Sequence, residues 1–258
     1  MSCSVSQVGG AAARRLIVLK FGSSVLSEPA RFGAAAREVR REIGAGTRAV
    51  VVVSAMGQGT EQLLSAARAA CPDPPGALLG ALLSTGEEAS VALMTMALGA
   101  VEVDATALST SDLALKTAGP VDDADPIDFD MDRVESLLGL HDAIVVPGFV
   151  GRDGLGAPSL LGRGGSDLTA LFVGHALAAE RIRLVKDVAG VYASDPNSGD
   201  AGPPLPRVTW REAEEIGGGV VQGKALRFAA GRGVGFWVGG METEAGGGGT
   251  WVGPGGIS

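Results

Sequence analysis

Two runs with no polar residue inside them, LIVL at residues 16–19 and AVVVV at residues 49–53, constrain the fold of this chain more than any other feature. A strand with one wet face alternates apolar and polar residues, whereas an unbroken apolar strand needs cover on both faces. That is the situation of a strand inside a parallel sheet between two layers of helices. Between the runs, PARFGAAAREVRREIGAG sets Phe32, Ala35, Ala36, Val39 and Ile43 at helical spacing, with Gly44 and Gly46 available as stops. Strand, helix and strand within about forty residues make a βαβ unit with a right-handed crossover.

The alternation continues along the chain. SAMGQGT is a turn before the helical stretch EQLLSAARAA, and CPDPPG breaks the chain. ALLGALLSTGEEASVALMTMALGA then reads as one or two largely buried helices around a turn at Ser84, Thr85 and Gly86. Short strands are predicted at residues 101–103 and 114–117, followed by an acidic loop, DDADPIDFD, and a helix, MDRVESLLGL. A strand over residues 143–146 leads into the glycine-rich PGFVGRDGLGAPSLLGRGGSD, which fits a small hairpin. From Asp167 a helix runs into the strand RIRLVKDV; residues 207–216 and 222–230 are predicted helical, residues 234–238 form a late strand, and a short apolar core surrounds Trp251. The expected architecture is a three-layer α/β/α sandwich around a mainly parallel central sheet. A flexible lead covers residues 1–15, and a single domain over residues 16–258 divides into lobes of about 16–180 and 181–258.

Composition narrows the class of protein. Hydrophobic residues make up 46% and the net charge is -8, so neither nucleic acid nor an anionic membrane is expected as the main partner, and any anion site must be built locally. Two cysteines, Cys3 and Cys71, and two histidines, His141 and His175, provide neither a disulfide framework nor a metal cluster. With no long apolar core in the N-terminal stretch and no run of about 18 apolar residues later, a cytoplasmic protein is expected.

Chemistry concentrates where strands end. Lys20 closes the first apolar run and is followed by Gly22, Ser23 and Ser24, whose backbone N–H groups and hydroxyls suit phosphate oxygens. In LLGRGGSDLTA, Gly162, Gly164 and Gly165 let backbone approach a ligand, Arg163 can grip a carboxylate or phosphate, and Ser166 and Asp167 open the next helix. Asp167 could orient a lysine such as Lys20 or hold a metal. GGVVQGKA has most of a phosphate-loop pattern, but Ala225 stands where a magnesium-binding hydroxyl belongs and no buried strand precedes it.

Taken together and in order, KFGSSV, VVSAMGQGTEQLL, STGEEAS, PGFVGRDG, LLGRGGSDLTALF and VKDVAGVYASDP resemble the amino-acid kinase family, and within it the catalytic domain of aspartate kinases. The resemblance covers roughly residues 16–240. It implies ATP and Mg²⁺ as cofactors, the metal riding on the phosphates, with L-aspartate as acceptor and 4-phospho-L-aspartate as product. Lys20 would contact the transferring phosphoryl group and Asp167 would organise that lysine. Thr60, Glu87, Arg163 and Ser166 would hold the amino acid, with Glu87, placed at a tight turn opening a helix, facing the ammonium. Gly22, Ser23, Ser24, Asp187, Tyr192 and Asp195 would border the nucleotide. A homodimer, and a homoserine dehydrogenase or another pathway enzyme as partner, are compatible with this reading. The chain stops where regulated aspartate kinases continue into ACT domains, so insensitivity to lysine and threonine is expected.

Departures from the family pattern leave alternatives open. Gly22-Ser23-Ser24 is shorter than the usual G-G-T-S and reminiscent of glutamate 5-kinases, which admits glutamate or a specialised amino acid as acceptor. A nucleotide-site lysine of the family aligns with Gly219, leaving either Lys186 or Lys224 to supply the positive charge. A non-catalytic regulatory homologue is the remaining reading.

Overall fold

The structure is a computed structural model that describes residues 15–44, 46–194, 202–216, 219–241 and 249–255. Residues 1–14 of the expected lead and the Asp195 loop lie outside these residues, while Arg15, expected in the lead, opens the first strand. Strand β1 (Arg15–Phe21), helix α1 (Pro29–Glu42) and strand β2 (Thr47–Val53) form the expected βαβ unit. The two strands pair in parallel, with Lys20 opposite Val52. Pro29 fits the first turn, where its missing N–H costs no bond, and Arg40 and Arg41 sit in the last turn, where cations favour the helix dipole. Strand alternation divides the apolar residues between two cores. Ile17, Leu19, Phe21, Val51 and Val53 meet α1, whereas Val18, Val50 and Val52 face the opposite layer.

Helix α2 (Gly59–Ala70) is followed by α3 (Gly76–Ala100), which is one uninterrupted helix and corrects the turn expected at Ser84, Thr85 and Gly86. The hydroxyls of Ser84 and Thr85 donate to the carbonyls of Ala81 and Leu82, so these residues bond back along the helix instead of breaking it. Gly86 serves close packing: a Cβ there would lie 3.1 Å from the Ala55 Cβ. By length and composition α3 could cross a membrane, which the sequence reading did not expect; here Val91, Met94 and Leu98 bury one of its faces against the α1 side of the sheet.

Residues 101–103 are the tail of α3, not a strand: Val101 and Val103 both donate to the Leu98 carbonyl, and the strand, β3, comes at Ala105–Ala107. Helix α4 (Thr110–Leu113) precedes β4 (Lys116–Ala118), and the acidic loop contains β5 (Asp125–Asp128), antiparallel to β4. Helix α5 (Met131–Leu140) and strand β6 (Ala143–Pro147) follow, then the expected hairpin of β7 (Val150–Arg152) and β8 (Pro158–Leu160). Helix α6 (Gly165–Ala176) leads to β9 (Arg181–Val185). Residues 207–216 open on a short edge strand, β10 (Arg207–Val208), before α7 (Trp210–Ile216). The break falls at Thr209, whose N–H and hydroxyl both donate to Glu212 while Glu212 N–H returns a bond to the hydroxyl, a capping box. Helix α8 (Gly223–Arg232), β11 (Phe236–Gly239) and β12 (Thr250–Val252) complete the chain.

The main sheet has the order β10-β12-β11-β9-β1-β2-β6-β3. Its pairings are parallel from β11 through β3, and only β11 with β12 runs antiparallel. Helices α1 and α3 cover one face and α5, α6 and α8 the other, which is the α/β/α sandwich. A second sheet, β5-β4-β7-β8, is fastened beside α2 and α3 through Val150, Leu160 and Leu83. Leu160 of this second sheet lines one cleft with Gly22, Ser54 and Lys186, which follow β1, β2 and β9, so the small sheet borders the carboxyl ends of parallel strands, where an open α/β sheet binds its ligands.

Candidate active site

The parity of two neighbouring strands builds the centre of the site. Lys20 shares its face of β1 with Val18, so it points toward α6. Ile182 and Leu184 point the same way from β9, and β9 pairs with β1 so that Leu184 lies opposite Lys20. The next residue of that face, Lys186, therefore emerges beside Lys20. Between them stands Asp167, in the first turn of α6. Its Oδ1 lies 2.8 Å from the Lys20 Nζ, and its Oδ2 accepts a hydrogen bond of 2.6 Å from the Lys186 Nζ. Lys20 and Asp167 are buried and Lys186 is largely so. Burial alone would push the Asp167 carboxyl upward, but the two ammonium groups outweigh it and hold its pKa below the ordinary value. For Lys186 burial prevails over the attraction of Asp167, and its pKa falls.

Gly164 caps α6 with φ +77°, a left-handed conformation that glycine adopts without strain, and a Cβ there would lie 2.5 Å from the Gln222 Cβ. The turn before α6 is thus packed against the chain that enters α8, leaving the helix N-terminus at the floor of a cleft of about 580 Å³. Gly22, Ser23 and Ser24 line this cleft beside Lys20.

At the cleft's other side, Glu87 descends from the middle of α3, which corrects its expected position at the start of a helix. It is 2% exposed. Burial pushes its pKa up to about 8, against the opposing pull of backbone N–H groups of Ala55 and Gly148 and the charge of Lys20. Its Oε2 has no hydrogen-bond partner. A buried carboxyl with a free oxygen in a cleft is a receptor for a cationic donor. Thr60, in the first turn of α2, and Ser166, in the first turn of α6, line the same space, and Arg163 stands exposed at its rim.

One cleft thus collects Lys20, Gly22, Ser23, Ser24, Thr60, Glu87, Arg163, Ser166, Asp167 and Lys186. Asp187 and Tyr192 follow β9 but are not among its described lining residues, and Lys224 lies in an adjoining depression. Asp195 is outside the described residues. The sequence reading missed Glu61, Leu64 and Arg68 on α2, Asp122, Phe149 and Gln222. Helical spacing from Thr60 through Leu64 to Arg68 was a usable signal; Asp122 and Gln222 carried none, since only folding brings their loops to the cleft.

A mainly parallel sandwich with lysines and a helix N-terminus at its strand ends is built to receive an anionic ligand such as a phosphate. Residues 15–231 match the amino acid kinase family, and the chain belongs to that family. Among its relatives, an aspartokinase of Bacillus sp. (strain MGA3) is 33% identical over 235 residues, which are 90% of this chain and 57% of the relative. The crystal structure of aspartate kinase from Synechocystis superposes with a TM-score of 0.78 at 28% identity, covering 94% of this chain and 40% of that one. Isopentenyl phosphate kinase shares the fold alone, with a TM-score of 0.69 at 19% identity over 92% of this chain and 100% of that one. This chain spans about half the length of the curated relatives it matches.

Proposed function

We propose that the chain transfers the γ-phosphoryl group of ATP to the side-chain carboxylate of an amino acid, L-aspartate, giving an acyl phosphate. The observation that carries this reading is the pairing, in one cleft, of Lys20 ion-paired to Asp167 with the buried, half-satisfied Glu87 carboxyl. The first suits a phosphate chain and the second an ammonium. Similarity to aspartokinases supports the acceptor. A carboxylate is already ionised at neutral pH, so the attack needs no general base. One carboxylate oxygen bonds to the γ-phosphorus as the bond to the β,γ-bridging oxygen breaks, and ADP departs with that electron pair.

The protein's part is to hold two anions in line and to neutralise their repulsion. Lys20 supplies charge at the transferring group, and Asp167 fixes where its ammonium sits. Glu87 accepts the acceptor's ammonium, Thr60 and Ser166 offer hydroxyls, and Arg163 at the rim pairs with the α-carboxylate. Among the described residues no three carboxylate, imidazole or thiol side chains converge to hold a metal, and Asp167 is already engaged by two lysines. Mg²⁺ would come with the β- and γ-phosphates and offset their charge. Incubating the protein with ATP, Mg²⁺ and hydroxylamine, with L-aspartate or L-glutamate in turn, tests the assignment. Aspartyl hydroxamate is expected; glutamyl hydroxamate alone would reassign the acceptor, and neither product would end the reading.

A further inference from the structure

Two lysines beyond Lys20 could bring positive charge to the nucleotide, and their surroundings separate them. We propose that Lys186 is the second phosphate-neutralising cation of the cleft and forms a clamp with Lys20 around Asp167, while Lys224 is a structural tie. The proposal rests on the phosphotransfer reading above.

Lys224 is already spent. Its Nζ donates to Asp123 O at 2.9 Å, Asp123 Oδ1 at 2.7 Å, Ala124 O at 2.9 Å and Leu161 O at 3.2 Å, with Asp125 Oδ1 at 3.4 Å. An ammonium has three protons to give, so these acceptors saturate it. Through them it binds α8 to the loop that carries β5 and to the end of β8. A phosphate could recruit it only by undoing that joint.

Lys186 is in the opposite position. Its backbone is fixed by the N–H donated to Gly239 O at 2.8 Å, and its side chain, 12% exposed, lines the cleft. Among the described residues its Nζ has one hydrogen-bond partner, Asp167 Oδ2. Lys20 occupies the other oxygen of the same carboxylate. Two ammonium groups therefore share one directly bonded carboxylate where water is scarce, with N–H donors to spare, and Asp187 adds only its charge to the surroundings of Lys186. Buried like charges of this kind repel each other until an anion joins them, and a polyphosphate has the charge and the span of acceptors to do so. Asp167 holds the two cations at a fixed separation, and it needs no contact with the ligand to do it.

Affinity for nucleotides that differ only in phosphate number tests this without any acceptor. Calorimetric titration of ATP, ADP and AMP would compare the wild type with Lys186→Met, Lys186→Gln and Lys186→Arg. Loss of one charge-assisted phosphate contact should weaken ATP and ADP roughly 10- to 100-fold, leave AMP within about twofold, and be partly recovered by arginine. If lysine served only to keep Asp167 in place, all three nucleotides would weaken together. Unchanged ATP affinity in a folded Lys186→Met or Lys186→Gln protein would overturn the assignment. Wild-type protein that binds ATP more tightly than AMP yet makes no hydroxamate would remove the acceptor reading and leave the clamp standing. In the active protein, turnover should fall about 10²-fold in Lys186→Met.

Discussion

Strand β9 and the residue that follows it carry two buried cations three residues apart, on opposite faces of the sheet, and they have opposite fates. Arg183 points under α1, where its Nη1 meets Glu38 at 2.6 Å and Glu42 at 2.7 Å and its Nη2 donates to the Gly240 carbonyl at 2.7 Å. Arg41 and Arg181, which reach toward solvent, pair with the same two glutamates, so all four carboxylate oxygens are engaged. Lys186 points toward α6 and shares one carboxylate with Lys20. Both clusters are buried and both are well formed. They differ in the supply of acceptors and in position: the first is satisfied and closed over by a helix, the second has donors to spare and opens at the strand ends. Buried charge on this scaffold is structural where its partners complete it and available for chemistry where they fall short.

The largest effect should come from the open cluster. Lys20→Ala is expected to lower hydroxamate turnover by about 10² to 10⁴, with an unfolding midpoint close to that of the wild type, because Asp167 keeps Lys186. Turnover near the wild-type rate would remove Lys20 from the reaction and make the two clusters alike. The closed cluster should respond in the other coordinate. Arg183→Leu takes from two buried carboxylates the one buried cation they share, leaving Glu38 to the half-exposed Arg41 and Glu42 to Arg181, and should cost about 3–5 kcal/mol in urea denaturation, while the fraction that remains folded turns over normally. A large drop in turnover without a loss of stability would show that the α1 face takes part in catalysis.

The contrast was half legible in the sequence. Unbroken apolar runs dictated the parallel sheet, and with it the place of Lys20 at a strand end facing a ligand. Glycine spacing around Arg163 marked the turn before α6. What pattern could not supply was the pairing of strands distant in sequence. Lys186 meets Lys20 only because β9 lies beside β1, 165 residues separate Arg15 from its partner Glu180 at the foot of that pair, and no local rule announces such a neighbour. Glu87 was misjudged for a related reason. STG reads as a turn by residue type, yet hydroxyl bonds to the preceding carbonyls keep it helical, so the carboxylate acts from a buried helix face and owes nothing to a helix dipole.

Glu87 supplies the next test, in which burial is again set against an incomplete set of partners. Glu87→Gln removes the acceptor's anionic partner and should raise its KM roughly 10- to 100-fold, with little change in the KM for ATP. With its pKa pushed up to about 8, the wild-type carboxyl holds a proton at pH 7, and burying an ammonium beside it should expel that proton. Calorimetry in buffers of different ionisation enthalpy would then report close to one proton released per acceptor bound at pH 7, and none for the glutamine variant. The same raised pKa has a sign for stability. The folded state binds the extra proton, so this group's contribution is full below the ordinary carboxyl range and is lost as pH rises through about 8. A wild-type stability that climbs relative to Glu87→Gln across that interval would contradict the burial.

The smallest effect should come from a pair with the same geometry as the clamp and different surroundings. Lys116 and Asp128 lie 2.7 Å apart, almost the separation of Lys186 and Asp167, but their side chains are 61% and 54% exposed against 12% and 3%. Water solvates both charges in the folded and unfolded chain, salt screens their attraction, and two long side chains lose freedom to meet. Lys116→Ala should therefore leave the unfolding midpoint, the nucleotide affinities and the turnover where they are. A shift comparable to that of Arg183→Leu would mean that distance alone sets the strength of an ion pair in this protein. The division between a saturated face and an open one would then lose its physical basis.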